Sequence, residues 1–182
     1  AQPNIVLIFV DNFGNGDLGC FGSKLHRTPN VDRLAAEGMR LTSFYVASGV
    51  CTPSRAALMT GCYPRRVGMH ASDTNGLVLQ PVARKGLHPD EDTIADVLKR
   101  AGYATGIFGK WHLGDQPEFL PTRQGFDEFF GIPYSNDMNP LPLMQASAVV
   151  DAAPAQASLL ERFTTAAVSF IERRKDGPFF LY

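Results

Sequence analysis

The run Ile5-Val6-Leu7-Ile8-Phe9-Val10 limits the fold more than any other stretch of the chain. Six apolar residues in succession, rich in β-branched side chains and bounded by polar ones, form the pattern of a strand buried on both faces, as in a parallel sheet. The run ends at Asp11-Asn12, after which Phe13-Gly14-Asn15-Gly16-Asp17 breaks into a glycine-rich loop. Polar residues at the carboxyl end of a buried parallel strand stand where open α/β sheets keep their ligands. Asp11 and Asn12 offer hard oxygen donors of the kind calcium and magnesium prefer, although on composition alone the pair reads as a turn.

The rest of the chain continues in the same rhythm. Thr28-Pro29-Asn30 leads into an amphipathic helix over residues 31–38 closed by Gly38, and Leu41 to Val46 alternate as a second strand. Residues 93–101 open with a capping box and place Ile94, Val97, Leu98 and Ala101 on one helical face. A third strand follows from Tyr103 to Gly109. Residues 63–90 read as a long irregular excursion; Arg65, Arg66, His70 and His88 lie in or near it as solvated loop side chains. From Asn136 to Ala157 the composition is loop-like. Ser158 and Glu161 then form a capping box for a helix running to about Lys175, with Leu159, Leu160, Phe163, Ala167, Phe170 and Ile171 as its apolar face. Gly177-Pro178 turns the chain into a buried strand at Phe179-Phe180-Leu181-Tyr182. Strands alternating with helices predict an α/β fold, a layered and mostly parallel sheet with helices on both faces.

Cys51 to Gly61 is the stretch with legible chemistry. Pro53 suits the first helical position, Ser54 to Met59 are fair to good helix formers, and Gly61 stands where a left-handed cap is expected. Residues four apart share a helix face, so Cys51 and Arg55 address one point in space. A sulfur at a helix N-terminus, with a guanidinium beside it, favours an anion there. Taken alone, a single cysteine before a helix is more often structural. A second group sits at Lys110-Trp111-His112. If the pleat of the third strand continues, Lys110 and His112 point to one side and Trp111 to the other. A buried lysine beside a histidine is costly unless an anion pairs with it, whereas a strand-end lysine reaching solvent is equally ordinary.

Cys51-Thr52-Pro53-Ser54-Arg55, with Leu58, Thr60 and Gly61, resembles the signature of the type I, formylglycine-dependent sulfatases, and Gly109-Lys110-Trp111-His112-Leu113-Gly114 resembles their second motif. Gly125 to Ser135 is most similar to the arylsulfatase A branch. The resemblance covers nearly the whole chain and implies an alkaline-phosphatase-like fold, of which residues 1–182 would be the N-terminal part of the catalytic domain; the remainder of that domain and a smaller C-terminal domain would lie outside. It implies that Cys51 is converted to formylglycine by a maturation enzyme, and that one hydroxyl of the hydrate attacks sulfur while the other later expels sulfate. It assigns Arg55 and Lys110 to the sulfate oxygens, His112 to the diol, and Ser135 to the sulfate as a hydroxyl donor. It also makes Asp11, Asn12 and the side chain at position 51 ligands of calcium, or of magnesium. Asn12 stands where the family carries a second carboxylate, so this metal site has one negative charge fewer.

The expected activity is therefore hydrolysis of a small-molecule or glycan sulfate ester. Two alternatives stay open: a phosphatase or phosphonate hydrolase of the same superfamily, and a non-catalytic relative. Bulk properties narrow the partners. A net charge of -1 gives no footprint for nucleic acid, and there is no apolar run long enough to span a bilayer. The chain shows no leader, and beginning at Ala1 it reads as a processed or trimmed product. Three cysteines, Cys20, Cys51 and Cys62, do not make a disulfide framework. The resemblance favours a periplasmic, secreted or lysosomal compartment. The final strand, left unpaired, would expose an edge, so the segment is expected to be poorly stable on its own or to belong to a longer chain.

Overall fold

The computed structural model describes residues 2–182. They divide into two compact units, one formed by residues up to Ile8 with Val46–Tyr182, the other by Phe9–Tyr45.

The larger unit is built on a six-stranded sheet. Its strands are β1 (Ile5–Val6), β2 (Ala104–Lys110), β3 (Glu128–Ile132), β4 (Leu143–Gln145), β5 (Ala148–Asp151) and β6 (Phe179–Leu181), in the spatial order β1-β6-β2-β3-β4-β5. The first four in space are parallel, and β4 and β5 add an antiparallel hairpin. The alternating side chains of β2 and β6 divide the unit into two layers. On one face Phe179 and Leu181 pack with Phe170 of α4 (Gln156–Arg174), flanked by Ala104, Phe108, Ala167 and Ile171. On the other, Phe180 stacks on Phe126, which meets Trp111 edge-on. Tyr182 on that same side reaches Arg55 of α2 (Cys51–Thr60). Helices thus cover both faces, as predicted.

Local signals hold where they are strongest. Gly61 ends α2 at φ +66°, with its N–H on Ala57 O at 2.9 Å. Helix α3 (Ile94–Arg100) carries the predicted capping box: Thr93 Oγ1 accepts from Asp96 N–H at 3.2 Å and Asp96 Oδ2 accepts from Thr93 N–H at 3.0 Å. Gly125, at φ +87°, lies so close to α3 that a Cβ there would fall 2.3 Å from Asp96 N.

Several expectations are corrected. The first apolar run is not buried on both faces: Val6 and Ile8 are exposed while Ile5 and Leu7 are half-buried, and only Ile5–Val6 form a strand. The cause is position, since among the described residues β1 pairs with β6 alone and is an outer strand, so one of its faces lacks a covering layer. Conversely, β6 is interior, flanked by β1 and β2, and the exposed edge belongs to β1. Helix α2 begins at Cys51 itself; Pro53 stands third, still among the first four residues whose N–H groups have no helical acceptor. Helix α4 begins two residues before Ser158, whose Oγ donates to Ala155 O at 2.7 Å instead of capping, and Leu160 points to solvent at 77% exposure. The β4–β5 hairpin went unseen because its strands are short and follow Pro140 and Pro142, and it turns at Ala146, at φ +52°.

In the smaller unit, α1 (Pro29–Glu37) starts at Pro29 and ends before Gly38. Its first turn is held by Asp32, which accepts from Thr28 Oγ1 at 2.9 Å and from Cys20 N–H at 2.7 Å. Residues 41–46, predicted as a strand, run as turn and coil with Leu41, Phe44, Tyr45 and Val46 exposed. A strand exists only through a ladder, and among the described residues none pairs with this segment.

Candidate active site

Helix α2 presents Cys51 as its first residue, half-buried, in the turn where backbone N–H groups point outward and the helix dipole is positive. One turn on, Arg55 is 3% exposed. Its Nη1 donates to Lys110 O and to the Tyr182 hydroxyl, both at 2.9 Å. The guanidinium is therefore fixed in place before any ligand arrives, and it ties the helix to the end of β2 and to the end of the described chain.

The end of β2 is shaped by backbone constraints. The strand closes at Lys110, and His112 takes φ +60°, so the pleat does not continue through it. Trp111 N–H and His112 N–H donate to Ile132 O at 3.0 Å and Pro133 O at 3.1 Å, which extends the pairing with β3 across the turn. Thr52, unremarked in the sequence, locks the junction: its hydroxyl donates to His112 O at 3.2 Å and accepts Leu79 N–H at 3.1 Å. Leu79 O in turn meets His112 Nε2 at 2.9 Å. A carbonyl only accepts, so Nε2 of this fully buried ring carries a proton.

Lys110 Nζ donates to Ser135 Oγ at 3.0 Å, and Ser135 is buried. Near them, Asp137 is held below the usual carboxylate range by a hydrogen bond from Ser135 and by its own backbone N–H, with the charges of Lys110 and His112 adding to the effect. Cys51, Arg55, Lys110, His112 and Ser135 thus belong to one junction. They supply a helix N-terminus, fixed cations and a basic imidazole, a set suited to a tetrahedral oxyanion.

The excursion over residues 63–90 is ordered by polar clamps. Val82, at φ +63°, donates its N–H to Asp115 Oδ2 at 3.1 Å and to the Tyr134 hydroxyl at 3.0 Å, and Tyr134 donates to Asp115. Burial, and then the Asp115 carboxylate, push the Tyr134 hydroxyl up to about 12. Arg65, Arg66, His70 and His88 are exposed, as expected. Arg65 and His70 nevertheless line a groove of about 640 Å³ beside the start of α2, with Val50, Pro53, Tyr63 and Leu77.

Asp11 and Asn12 fall in the smaller unit, exposed in a turn, with Asn12 at φ +55°. Their carboxylate and amide oxygens suit a hard divalent cation, but two residues do not fill the six to eight positions calcium takes. Among the described residues no three His, Cys, Asp or Glu side chains gather as a metal site. The signals that sequence reasoning missed are Thr52, Asp137 and Tyr182; Thr52 lies inside the recognised motif, whereas the other two carry no local signature.

Comparison with known proteins places these residues in context. The family model described as Sulfatase matches residues 3–182. Human arylsulfatase A is 45% identical over 207 residues, covering 99% of this chain and 40% of the relative, and N-acetylgalactosamine-6-sulfatase of Rattus norvegicus is 39% identical over 201 residues, covering 99% and 38%. The chain thus spans about 40% of the length of these two curated relatives. Among solved structures, a sulfatase from Pseudoalteromonas sp. superposes with a TM-score of 0.80 at 29% identity, covering 100% of this chain and 43% of that one. A protein solved in complex with its substrate D-glucosamine-2-N,6-O-disulfate superposes at 0.77 and 27% identity, covering 100% and 33%.

Proposed function

The chain belongs to the sulfatase family, and from that premise we propose that the polypeptide carrying it hydrolyses sulfate esters at the junction of α2 and β2. Residues 1–182 are on this reading the N-terminal part of the catalytic domain. The observation that supports it is the fixed cationic pocket: Arg55 buried and pinned to Lys110 O, Lys110 aimed at Ser135, and His112 anchored through Nε2–H on Leu79 O, all around a helix that starts at Cys51.

Each residue has a role that follows from its setting. Cys51, converted to formylglycine, offers a hydrate hydroxyl at the positive end of α2; its attack on sulfur breaks the S–O bond to the ester's alcohol or phenol, which leaves with a proton. Arg55 and Lys110 receive the sulfate oxygens, and because their positions are set in advance they stabilise developing charge without reorganisation. His112 Nδ1 accepts the proton of the second hydroxyl, which lets the carbonyl re-form as sulfate leaves. Asp11 and Asn12 are proposed as ligands of a calcium or magnesium ion, with further donors from elsewhere in the polypeptide. The ion would supply the positive charge of a hard Lewis acid. The substrate class is an aryl or glycan sulfate, and the expected compartment is periplasmic, extracellular or lysosomal. No helix among the described residues is long and apolar enough to cross a membrane.

The test is the full-length polypeptide produced together with a formylglycine-generating enzyme. The peptide spanning Cys51 should be lighter by the difference between thiol and aldehyde, and an aryl sulfate should be turned over in preference to the matching aryl phosphate. Unconverted cysteine with no sulfate turnover would overturn the reading.

A further inference from the structure

Val82 is where the excursion meets the ends of β2 and β3. Ala83 N–H donates to Gln80 O at 3.2 Å across a turn in which Pro81 is second and Val82, at φ +63°, is third. Proline second and positive φ third define a type II turn, whose third place suits glycine or asparagine. A β-branched residue there is strained, and such strain persists only where the surroundings over-determine it. Here they do: Val82 N–H is shared by Asp115 Oδ2 and the Tyr134 hydroxyl, Tyr134 donates to the same Oδ2, and Gln116 Nε2 donates to Ala83 O at 3.2 Å. Asp115 Oδ1, meanwhile, is buried with no hydrogen-bond partner among the described residues. A strained turn and an unsatisfied carboxylate oxygen both work against stability, so the clamp fixes a position in spite of a local loss.

The position it fixes is that of Leu79. Leu79 is 1% exposed; its N–H donates to Thr52 Oγ1 at 3.1 Å and its carbonyl accepts from His112 Nε2 at 2.9 Å. The clamping side chains come from the segments that carry the site, Asp115 shortly after His112 and Tyr134 beside Ser135. We propose that Tyr134 and Asp115 are positioning residues for sulfate-ester hydrolysis: by clamping the Val82 turn onto the ends of β2 and β3 they hold the Leu79 carbonyl on His112 Nε2 and so set the imidazole's orientation. Neither touches the ester. Without the clamp the turn relaxes from positive φ, the Leu79 carbonyl swings, and the ring loses its fixed acceptor.

The proposal rests on the sulfatase reading above, and its experiment separates the two. Tyr134→Phe, Asp115→Ala, their double variant and Asp115→Asn are made in the full-length polypeptide together with a formylglycine-generating enzyme. Turnover of an aryl sulfate is measured well below the melting temperature and divided by the fraction of Cys51 converted. Tyr134→Phe and Asp115→Ala should each lower kcat about tenfold and leave KM within about twofold of wild type, as for a catalytic group displaced by a fraction of an ångström. The double variant should lose no more than the worse single one, because both changes break one clamp. Asp115→Asn keeps an acceptor oxygen and should recover most of the activity. Backbone hydrogen exchange over residues 79–83 should quicken in Tyr134→Phe and Asp115→Ala, a readout independent of turnover. Asp73→Ala is the control: it removes the acceptor of Arg84 N–H, bonded at 2.9 Å elsewhere on the excursion, and should leave kcat unchanged. Losses that multiply in the double variant, an equal loss in Asp73→Ala, or unchanged exchange over residues 79–83 would each overturn the positioning role. An inactive wild type overturns both readings; an active one with an indifferent Tyr134→Phe overturns this one alone.

Discussion

The two faces of β2 and β6 use the same strands for opposite purposes. Phe179 and Leu181 look toward α4, where Phe170 is fully buried and meets Phe179 at 5.9 Å and Phe108 at 5.5 Å between ring centroids. Tyr182, next in line after Leu181, looks the other way and accepts a hydrogen bond from Arg55. One face is dry and non-directional, stabilised by area and packing density. The other is a buried polar junction in which each contact has one geometry and one partner, so it fixes positions more than it adds stability. A period of two thus lets one strand carry stability and chemistry without compromise between them.

Three perturbations would break or sharpen this contrast. The largest thermodynamic effect is expected on the dry face. Phe170→Ala should destabilise the fold by about 3–5 kcal/mol through lost burial and a residual cavity, read in denaturant titration. Its kcat well below the melting temperature should match wild type, and a drop there would mean that the two faces are coupled. On the polar face, Thr52→Val should cost less stability, about 1–3 kcal/mol for the buried Leu79 N–H it leaves without an acceptor. Turnover of sulfate ester should fall further than that loss accounts for, because the clip on His112 O goes with it. Unchanged kcat/KM would show that His112 is positioned by β3 alone.

The smallest effect concerns Tyr134, which the Asp115 clamp holds against the excursion. Its hydroxyl is raised from the ordinary value near 10 to about 12, so the folded state favours the protonated form. The resulting stability is complete below pH 10 and is lost as pH rises from there to about 12. A Tm series over that range should show a steeper alkaline decline in wild type than in Tyr134→Phe; parallel curves would remove Tyr134 as the cause.

Legibility followed the range of the signal. The capping box at Thr93, the glycine at 61 and the apolar face around Phe170 were readable because helix periodicity and caps are set within one or two turns. Leu41 to Val46 has the alternation of a strand but no ladder, and the β4–β5 hairpin has the ladder but almost no alternation. A strand is a relation between distant segments, so neither pattern could decide it. At the site, Cys51, Arg55, Lys110, His112 and Ser135 came from motifs. His112 follows β2 through a left-handed residue and not through the continued pleat that the spacing predicts.

By itself the sequence determined a layered α/β chain, a short helix starting at a cysteine with an arginine on the same face, and a lysine and histidine at a strand end. These are consequences of local spacing. Only the tertiary structure decided which strand is outermost, that Arg55 is tied at once to Lys110 O and Tyr182 across 127 residues of chain, and that Thr52 holds the His112 carbonyl. The physical reason is that hydrogen bonds and burial are satisfied by whatever the fold brings near. A hydroxyl or carboxylate acquires its role from neighbours that the local sequence does not name.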